Sequence, residues 1–324
     1  MNRTQPPMDM RLHAPAPTRP DTRPLFQALR KGRLLPLVVC LLLSFGTTAA
    51  GQSFYQGSGT HPSPPPVPQY IVFAGDTIRF DRSDLYERMD RELIAFTYSH
   101  TNSLLMLKRS ERIFHQVVPL LNLHGIPEDL KYLMAIESNL SPKALSTAGA
   151  AGLWQFMKGT AKEYGLVVTA EVDERYNIEK ETVAACKFLR KAYSRYHDWM
   201  TVAASYNGGQ GGISAKLSSQ MESSAMDLYL VEETSRYMFR ILVAKMFFEN
   251  PALFGFDVKP SDYYPYYEPR KVVNVSGAVG DLAEFAKKHG VSYMQLKEAN
   301  LWLRDTKLVN KEGHTYKIII PGGQ

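Results

Sequence analysis

Between Ser83 and Phe248 the apolar residues recur at intervals of three and four: Leu85, Met89, Leu93 and Phe96, then Leu104, Leu107, Ile113, Val117, Leu120 and Leu121. That is the period of a helix with one buried face, so this stretch must fold as packed amphipathic helices and not as a sheet. Further helices are expected over Ile178 to Tyr196, Met200 to Ser205 and Val231 to Phe248, the last apolar around enough of its circumference to be central. Another starts at Pro127, whose missing N–H costs nothing in a first turn, with Glu128 and Asp129 at the positive end of the dipole. It runs towards Glu137.

The flanks differ in kind. Arg30, Lys31 and Arg33 precede the apolar run Leu34 to Phe45, and the small residues Gly46 to Ala50 follow. This is the order and size of a secretory signal. The run falls short of the roughly 20 residues a membrane crossing needs, and Pro36 interrupts it, so residues 1–50 read as a signal peptide, with an uncleaved signal anchor as the alternative. Residues 51–79 read as a Pro/Gly/Ser-rich linker, in which Pro64, Pro65, Pro66 and Pro68 forbid helix. A helical domain is expected over 80–260. In 261–324 a strand from Lys271 to Val275, helical patterns at Leu282 to His289 and Tyr293 to Asn300, and a strand from Thr315 to Ile320 make a small βααβ domain. The expected fold class is therefore mainly α, with a βααβ domain behind the helices.

Charge excludes one function class. Seven of the 38 Lys and Arg and two of the 32 Asp and Glu lie in residues 1–50, leaving 31 against 30 in the rest. A near-neutral body carries no phosphate-binding footprint, so nucleic acid is not an expected partner. The eight His are scattered without ligand spacing, and no metal or cofactor is expected. Cys40 lies in the N-terminal apolar run; Cys186, inside a helical pattern, reads as a small core residue.

One carboxylate is out of place. Glu137 continues the stripe of Leu130, Leu133 and Met134, after the unbroken apolar run Tyr132 to Ile136. Desolvation disfavours the charged form and raises the pKa, which suits a general acid near neutral pH. A paired structural glutamate fits the position as well. The next Asp or Glu is Glu163, so the segment between carries no second carboxylate of the kind glycoside hydrolysis ordinarily uses.

Glu137-Ser138-Asn139-Leu140-Ser141-Pro142, Ser146, and Ala148 through Gly152-Leu153-Trp154-Gln155-Phe156-Met157 resemble the catalytic signature of the lytic murein transglycosylases, a goose-lysozyme-like family that cuts bacterial peptidoglycan. Tyr206-Asn207-Gly208-Gly209 resembles its Tyr-Asn-x-Gly motif, and Glu233-Thr234-Ser235-Arg236-Tyr237 its Glu-Thr-x-x-Tyr motif. The long helical lead-in and the C-terminal domain narrow the resemblance to the membrane-bound D type of that family. The resemblance implies a lysozyme-like helical catalytic domain over 80–260 and a LysM-like domain over 261–324. It implies that Glu137 protonates the glycosidic oxygen between MurNAc and GlcNAc, then takes the proton of the C6 hydroxyl of the same MurNAc, leaving a 1,6-anhydro end. A muramidase adding water on the same fold, and a non-catalytic wall-binding protein, are the competing readings.

The remaining site residues each carry a plain alternative. Ser146 matches the family's serine near the acid, or is an ordinary loop hydroxyl. Gln155 is a hydrogen-bonding cleft wall, or a solvated glutamine. Tyr206 and Asn207 contact the reacting sugar, or end a helix before a run of glycines. Tyr237 bonds Glu137 or substrate, or is a core aromatic; Trp154 and Phe156 read as core anchors. The chain departs from the family in having Gly211-Gly212 where an Arg is common, Trp154 in place of a Met, and no Gly-Asp-Thr opening in the LysM-like stretch. That last absence leaves the tail either a glycan-binding module or a structural cap. The expected partner is the peptidoglycan glycan strand, in the periplasm or cell envelope, with membrane attachment through the N-terminus as a further expectation.

Overall fold

A computed structural model describes residues 63–322, so the signal expected over 1–50 lies outside the described residues. The first element corrects the linker boundary. Strands β1 (Tyr70–Phe73) and β2 (Asp76–Arg79) pair antiparallel, Phe73 opposite Asp76. Their two-residue turn, Ala74-Gly75, has positive φ at both positions, as a tight hairpin demands. Alternation along β1 turns Ile71 and Phe73 into the core, and upstream Pro65 is buried as well. Four-residue strands next to a proline run are too short for their period to register in the sequence.

The expected helices form as α1 (Ser83–Tyr98), α2 (His100–Leu123), α3 (Leu130–Ser138), α5 (Ile178–Tyr196), α6 (Trp199–Gly208) and α8 (Glu232–Glu249), and two that the sequence reading did not anticipate, α4 (Lys158–Glu163) and α7 (Gln210–Gln220), lie between them. Two boundaries differ. Helix α3 starts at Leu130 and not Pro127, because the Leu130 and Lys131 amides reach back only three residues, to Pro127 and Glu128, forming turns first. Gly211 and Gly212 lie inside α7, so only Gly209 separates it from α6. Polar caps mark several starts: Asn177 accepts from the Lys180 amide at the head of α5, and Asp198 from Met200 and Thr201 at that of α6.

Helix α8 is the hub. Tyr237, Met238, Phe239, Ile241, Leu242, Val243, Ala244 and Phe247 are all buried, which uses up most of its circumference, and α1, α3 and α6 pack around it. Buried Glu92 of α1 meets Arg236 at 2.6 Å and Arg240 at 3.5 Å, pinning α1 to α8 by charge as well as by packing. Cys186 is buried in α5.

The tail folds as read: β3 (Lys271–Val275), α9 (Leu282–Lys288), α10 (Tyr293–Ala299) and β4 (Tyr316–Ile320), with β3 and β4 antiparallel. Ser292 and Gln295 form a reciprocal cap at the head of α10. Its core of Leu282, Ala286, Leu296, Trp302, Leu308, Ile318 and Ile320 is separate from the helical core but takes in Ala151, Val172 and Tyr176 from the helical domain.

Candidate active site

Glu137 is the penultimate residue of α3, and after Ser138 come two residues of left-handed backbone: Asn139 at φ 50° and Leu140 at φ 53°. Non-glycine residues in that region carry strain, tolerated here because Leu140 is fully buried and Arg109 donates to the Asn139 carbonyl at 3.0 Å. The half-buried Glu137 accepts a 2.6 Å hydrogen bond at Oε1 from the Tyr237 hydroxyl of α8. Oε2 accepts no hydrogen bond from any described residue. Burial pushes the carboxyl up to about 7, against the Tyr237 bond, which favours the charged form, and with the Glu233 charge, which disfavours it.

The wall loop, residues 144–157, is linked to the surroundings of Glu137 through Tyr206, whose hydroxyl bonds the Trp154 carbonyl and lies within reach of the Glu137 charge. Ser146 Oγ accepts from the Ala150 amide at 3.0 Å, and the Ser146 amide donates to the Ala150 carbonyl at 2.9 Å, so this hydroxyl closes the loop on itself. Gln155, left-handed at φ 49°, donates its side-chain amide to the Gly152 carbonyl at 2.8 Å. Trp154 and Phe156 are core anchors: Trp154 is fully buried and its indole N–H donates to Thr182 Oγ1 at 3.1 Å. Tyr206 donates to the Trp154 carbonyl at 2.7 Å, its ring edge-on to Phe188. Asn207 Oδ1 accepts from Thr234 at 2.8 Å, tying α6 to α8.

The structure thus brings Glu137 and Tyr237 into contact and places Gln155, Tyr206 and Asn207 together along a cavity of about 340 Å³ shared with Met157, Thr160 and Lys191. Glu137, Ser146 and Tyr237 do not line that cavity. The cavity is not the seat of the carboxyl.

Three further residues shape the site. Glu233 is the charge that registers at Glu137, and it is itself held by Arg240 at 2.9 Å; its place in the Glu-Thr-x-x-Tyr stretch was the available signal. Glu181, fully buried, accepts from the Trp154 amide at 3.1 Å while its Oε1 has no partner, and burial holds its pKa well above the usual carboxylate range. In the sequence it is one of two acids in the first turn of α5, indistinguishable from a solvated dipole partner. Arg175 pairs with Asp173 and donates Nη1 to the carbonyls of Gly149 at 2.8 Å and Phe156 at 3.0 Å, gripping both sides of the loop. No local pattern marks it.

Residues 123–228 match the Transglycosylase SLT domain, and residues 271–324 the Soluble lytic transglycosylase C-terminal LysM-like domain. Helix α8, with Tyr237, lies beyond the first match. The chain is 26% identical over 247 residues to membrane-bound lytic murein transglycosylase D of Escherichia coli strain K12, covering 73% of this chain and 52% of that protein. It is 35% identical over 124 residues to peptidoglycan transglycosylase gp16 of Escherichia phage T7, covering 37% of this chain and 9% of the other. The chain spans about half the length of the transglycosylase D relatives it matches. Among solved structures, the 70 kDa soluble lytic transglycosylase of Escherichia coli aligns at 18% identity and TM-score 0.36, covering 55% of this chain and 33% of the other.

Proposed function

From a chain that carries a transglycosylase SLT domain and a LysM-like domain, we propose an enzyme that cleaves the MurNAc-GlcNAc β-1,4 bond of peptidoglycan without water, leaving 1,6-anhydro-MurNAc ends. The observation that supports this best is the Glu137 carboxyl, half-buried and held at Oε1 by Tyr237, with Oε2 unbonded by any described residue. A carboxyl titrating at about 7 is protonated often enough to act as acid and can be deprotonated midway to act as base. Oε2 delivers its proton to the leaving glycosidic oxygen. The carboxylate so formed gains strength from the Tyr237 O–H, and then accepts the proton of the C6 hydroxyl as that oxygen closes on C1.

Among the described residues no second carboxylate bonds Glu137 or its partner Tyr237, and Glu163 lies on the neighbouring cavity that Glu137 does not line, which supports the lyase route over hydrolysis. Glu233 is engaged by Arg240, and Glu181 is turned to the backbone of the wall loop. Neither is free to activate a water or to form a covalent intermediate. The alternative, a goose-type muramidase, makes a product heavier by one water. Digesting sacculi in heavy-oxygen water separates the two readings: unlabelled anhydro ends are expected, and label at the muramic acid C1 would overturn the lyase assignment. Glu137→Gln keeps the shape and loses the proton, so it must abolish cleavage while glycan binding persists.

The expected place of action is the cell envelope, on the periplasmic glycan strands. No helix among the described residues is long and apolar enough to cross a membrane, so attachment to a membrane rests on the N-terminal segment alone.

A further inference from the structure

The tail does not sit apart from the helical domain. Residues 167–174 form a small hairpin, closed by the Glu174 amide on the Val167 carbonyl at 2.9 Å and by the pairing of Val168 with Asp173. Trp302 to Arg304 of the tail lie along it as a third extended segment. The Asp173 amide donates to the Trp302 carbonyl at 2.9 Å, the Arg304 amide to the Glu171 carbonyl at 2.8 Å, and Val172 pairs antiparallel with Leu303. At the rim, the Arg304 guanidinium lies 4.5 Å over the Tyr176 ring, and the Glu171 carboxylate accepts from the Val309 amide. Val172 and Tyr176 are buried inside the tail's own core.

The same hairpin grips the wall loop. Asp173 holds the Arg175 guanidinium through Nε at 2.9 Å and Nη2 at 2.8 Å, both side chains about nine-tenths buried, and the remaining Nη1 bridges the Gly149 and Phe156 carbonyls. Ala151, on that loop, is a member of the tail's core. At Gly152, with φ +82°, a Cβ would stand 1.7 Å from the Arg175 carbonyl oxygen, so loop and hairpin are pressed together as closely as backbones can be. One continuous set of contacts therefore runs from Trp302 and Arg304 through Asp173 and Arg175 to the loop that carries Gln155 and takes the Tyr206 hydroxyl.

We infer that the LysM-like domain is a fixed buttress of the active-site wall, and that Arg175 is the positioning residue through which its docking holds the 149–156 loop in its working shape. The inference rests on the reading of the site as glycan-cleaving only for its consequence on turnover; its consequence for loop order stands without it. A tail that merely tethers the enzyme to the wall would govern retention on insoluble sacculi and leave the loop untouched.

The test is hydrogen exchange on the full chain, with turnover on a short soluble glycan oligomer measured beside it. The amides of Ala151, Gly152 and Phe156, bonded to Phe156, Ala144 and Ala151 respectively, report the closed loop. Glu171→Ala combined with Arg304→Ala strips the rim of the interface without opening either core. It is expected to raise exchange at those three amides by about tenfold while α8 stays protected. It should also lower kcat on the oligomer by about fivefold or more, with KM within about twofold. Arg175→Lys, which cannot pair Asp173 and bridge two carbonyls at once, gives the same pattern with the tail still docked. Joining it to the rim pair adds little, since both break one chain of contacts.

Unchanged loop exchange in the rim variant, or unchanged kcat with weakened retention on sacculi, overturns the inference. If the rim variant also exposes α8, Arg175→Lys decides alone: faster loop exchange under protected tail amides upholds the inference, and unaltered loop exchange ends it. A wild-type chain that leaves the oligomer intact while the exchange results hold would remove the proposed activity and keep the buttress.

Discussion

At Glu137 three influences meet, and their signs can be tested separately. Burial raises its pKa, the Tyr237 bond lowers it, and the Glu233 charge raises it, to a net of about 7. Tyr237→Phe removes the one donor that favours the charged form, so the alkaline limb of the kcat/KM profile should move up by about one pH unit and kcat should fall by about 100-fold as the base step weakens. An alkaline limb that stays put would show that Tyr237 does not set the acid's pKa. The same shift has a consequence for stability. A carboxyl whose folded pKa is raised binds more protons folded than unfolded, so its contribution is harmless below the ordinary value of 4.5 and becomes a penalty as pH climbs towards about 7. Glu137→Gln should therefore be more stable than wild type above neutrality, by about 2 kcal/mol after allowing for the partly solvated carboxyl, and equal to it at pH 4. Denaturant midpoints at the two pH values check this.

Among the elements, α8 and the wall loop bear most on function. Helix α8 supplies Tyr237, anchors Asn207 through Thr234, and is tied to α1 through Arg236 and Arg240 on Glu92. Glu92→Ala leaves three arginines, Arg91, Arg236 and Arg240, each partly exposed, without their common partner; a loss of about 2 kcal/mol is expected in urea unfolding, less than for a fully buried pair. Because α8 holds Tyr237, kcat should fall with it even where the protein remains folded. On the loop, Gly152→Ala places a methyl group into the Arg175 carbonyl and onto strained backbone. It should cost about 3 kcal/mol or more and reduce activity in the fraction that folds, whereas Gly159→Ala, with open space around it, should cost neither. Thermal melts of the two variants side by side give the answer.

For the molecule as a whole, the shared core of tail and hairpin makes a thermodynamic claim. With Ala151, Val172 and Tyr176 inside the tail's core, unfolding the tail exposes apolar surface of the helical domain too. Calorimetry of the full chain should show one cooperative transition, with calorimetric and van't Hoff enthalpies agreeing, where a tethered module would melt in a separate step. The surface ion pairs Lys143 with Glu298 and Lys317 with Glu179, well exposed on both sides, contribute little to that coupling. Raising the salt concentration should accordingly leave the single transition intact.

What the sequence determined by itself was local. Period three and four in the apolar residues marks α1, α2, α3, α5, α6 and α8 to within about three residues of their ends, because that signal acts within one or two turns. The anomaly of Glu137 on an apolar stripe was likewise visible, since burial of a helix face is written in its spacing. Only the tertiary structure decided what lies across space: that Tyr237, one hundred residues on, bonds Glu137; that Glu181 and Arg175, ordinary charges in the sequence, hold the wall loop from beneath; and that the β1–β2 hairpin joins the core instead of a linker. A buried charge and a solvated one are spelled with the same residues. Which of them a residue becomes depends on the desolvation and the partners that the packed elements impose, and neither is encoded within a turn of the chain.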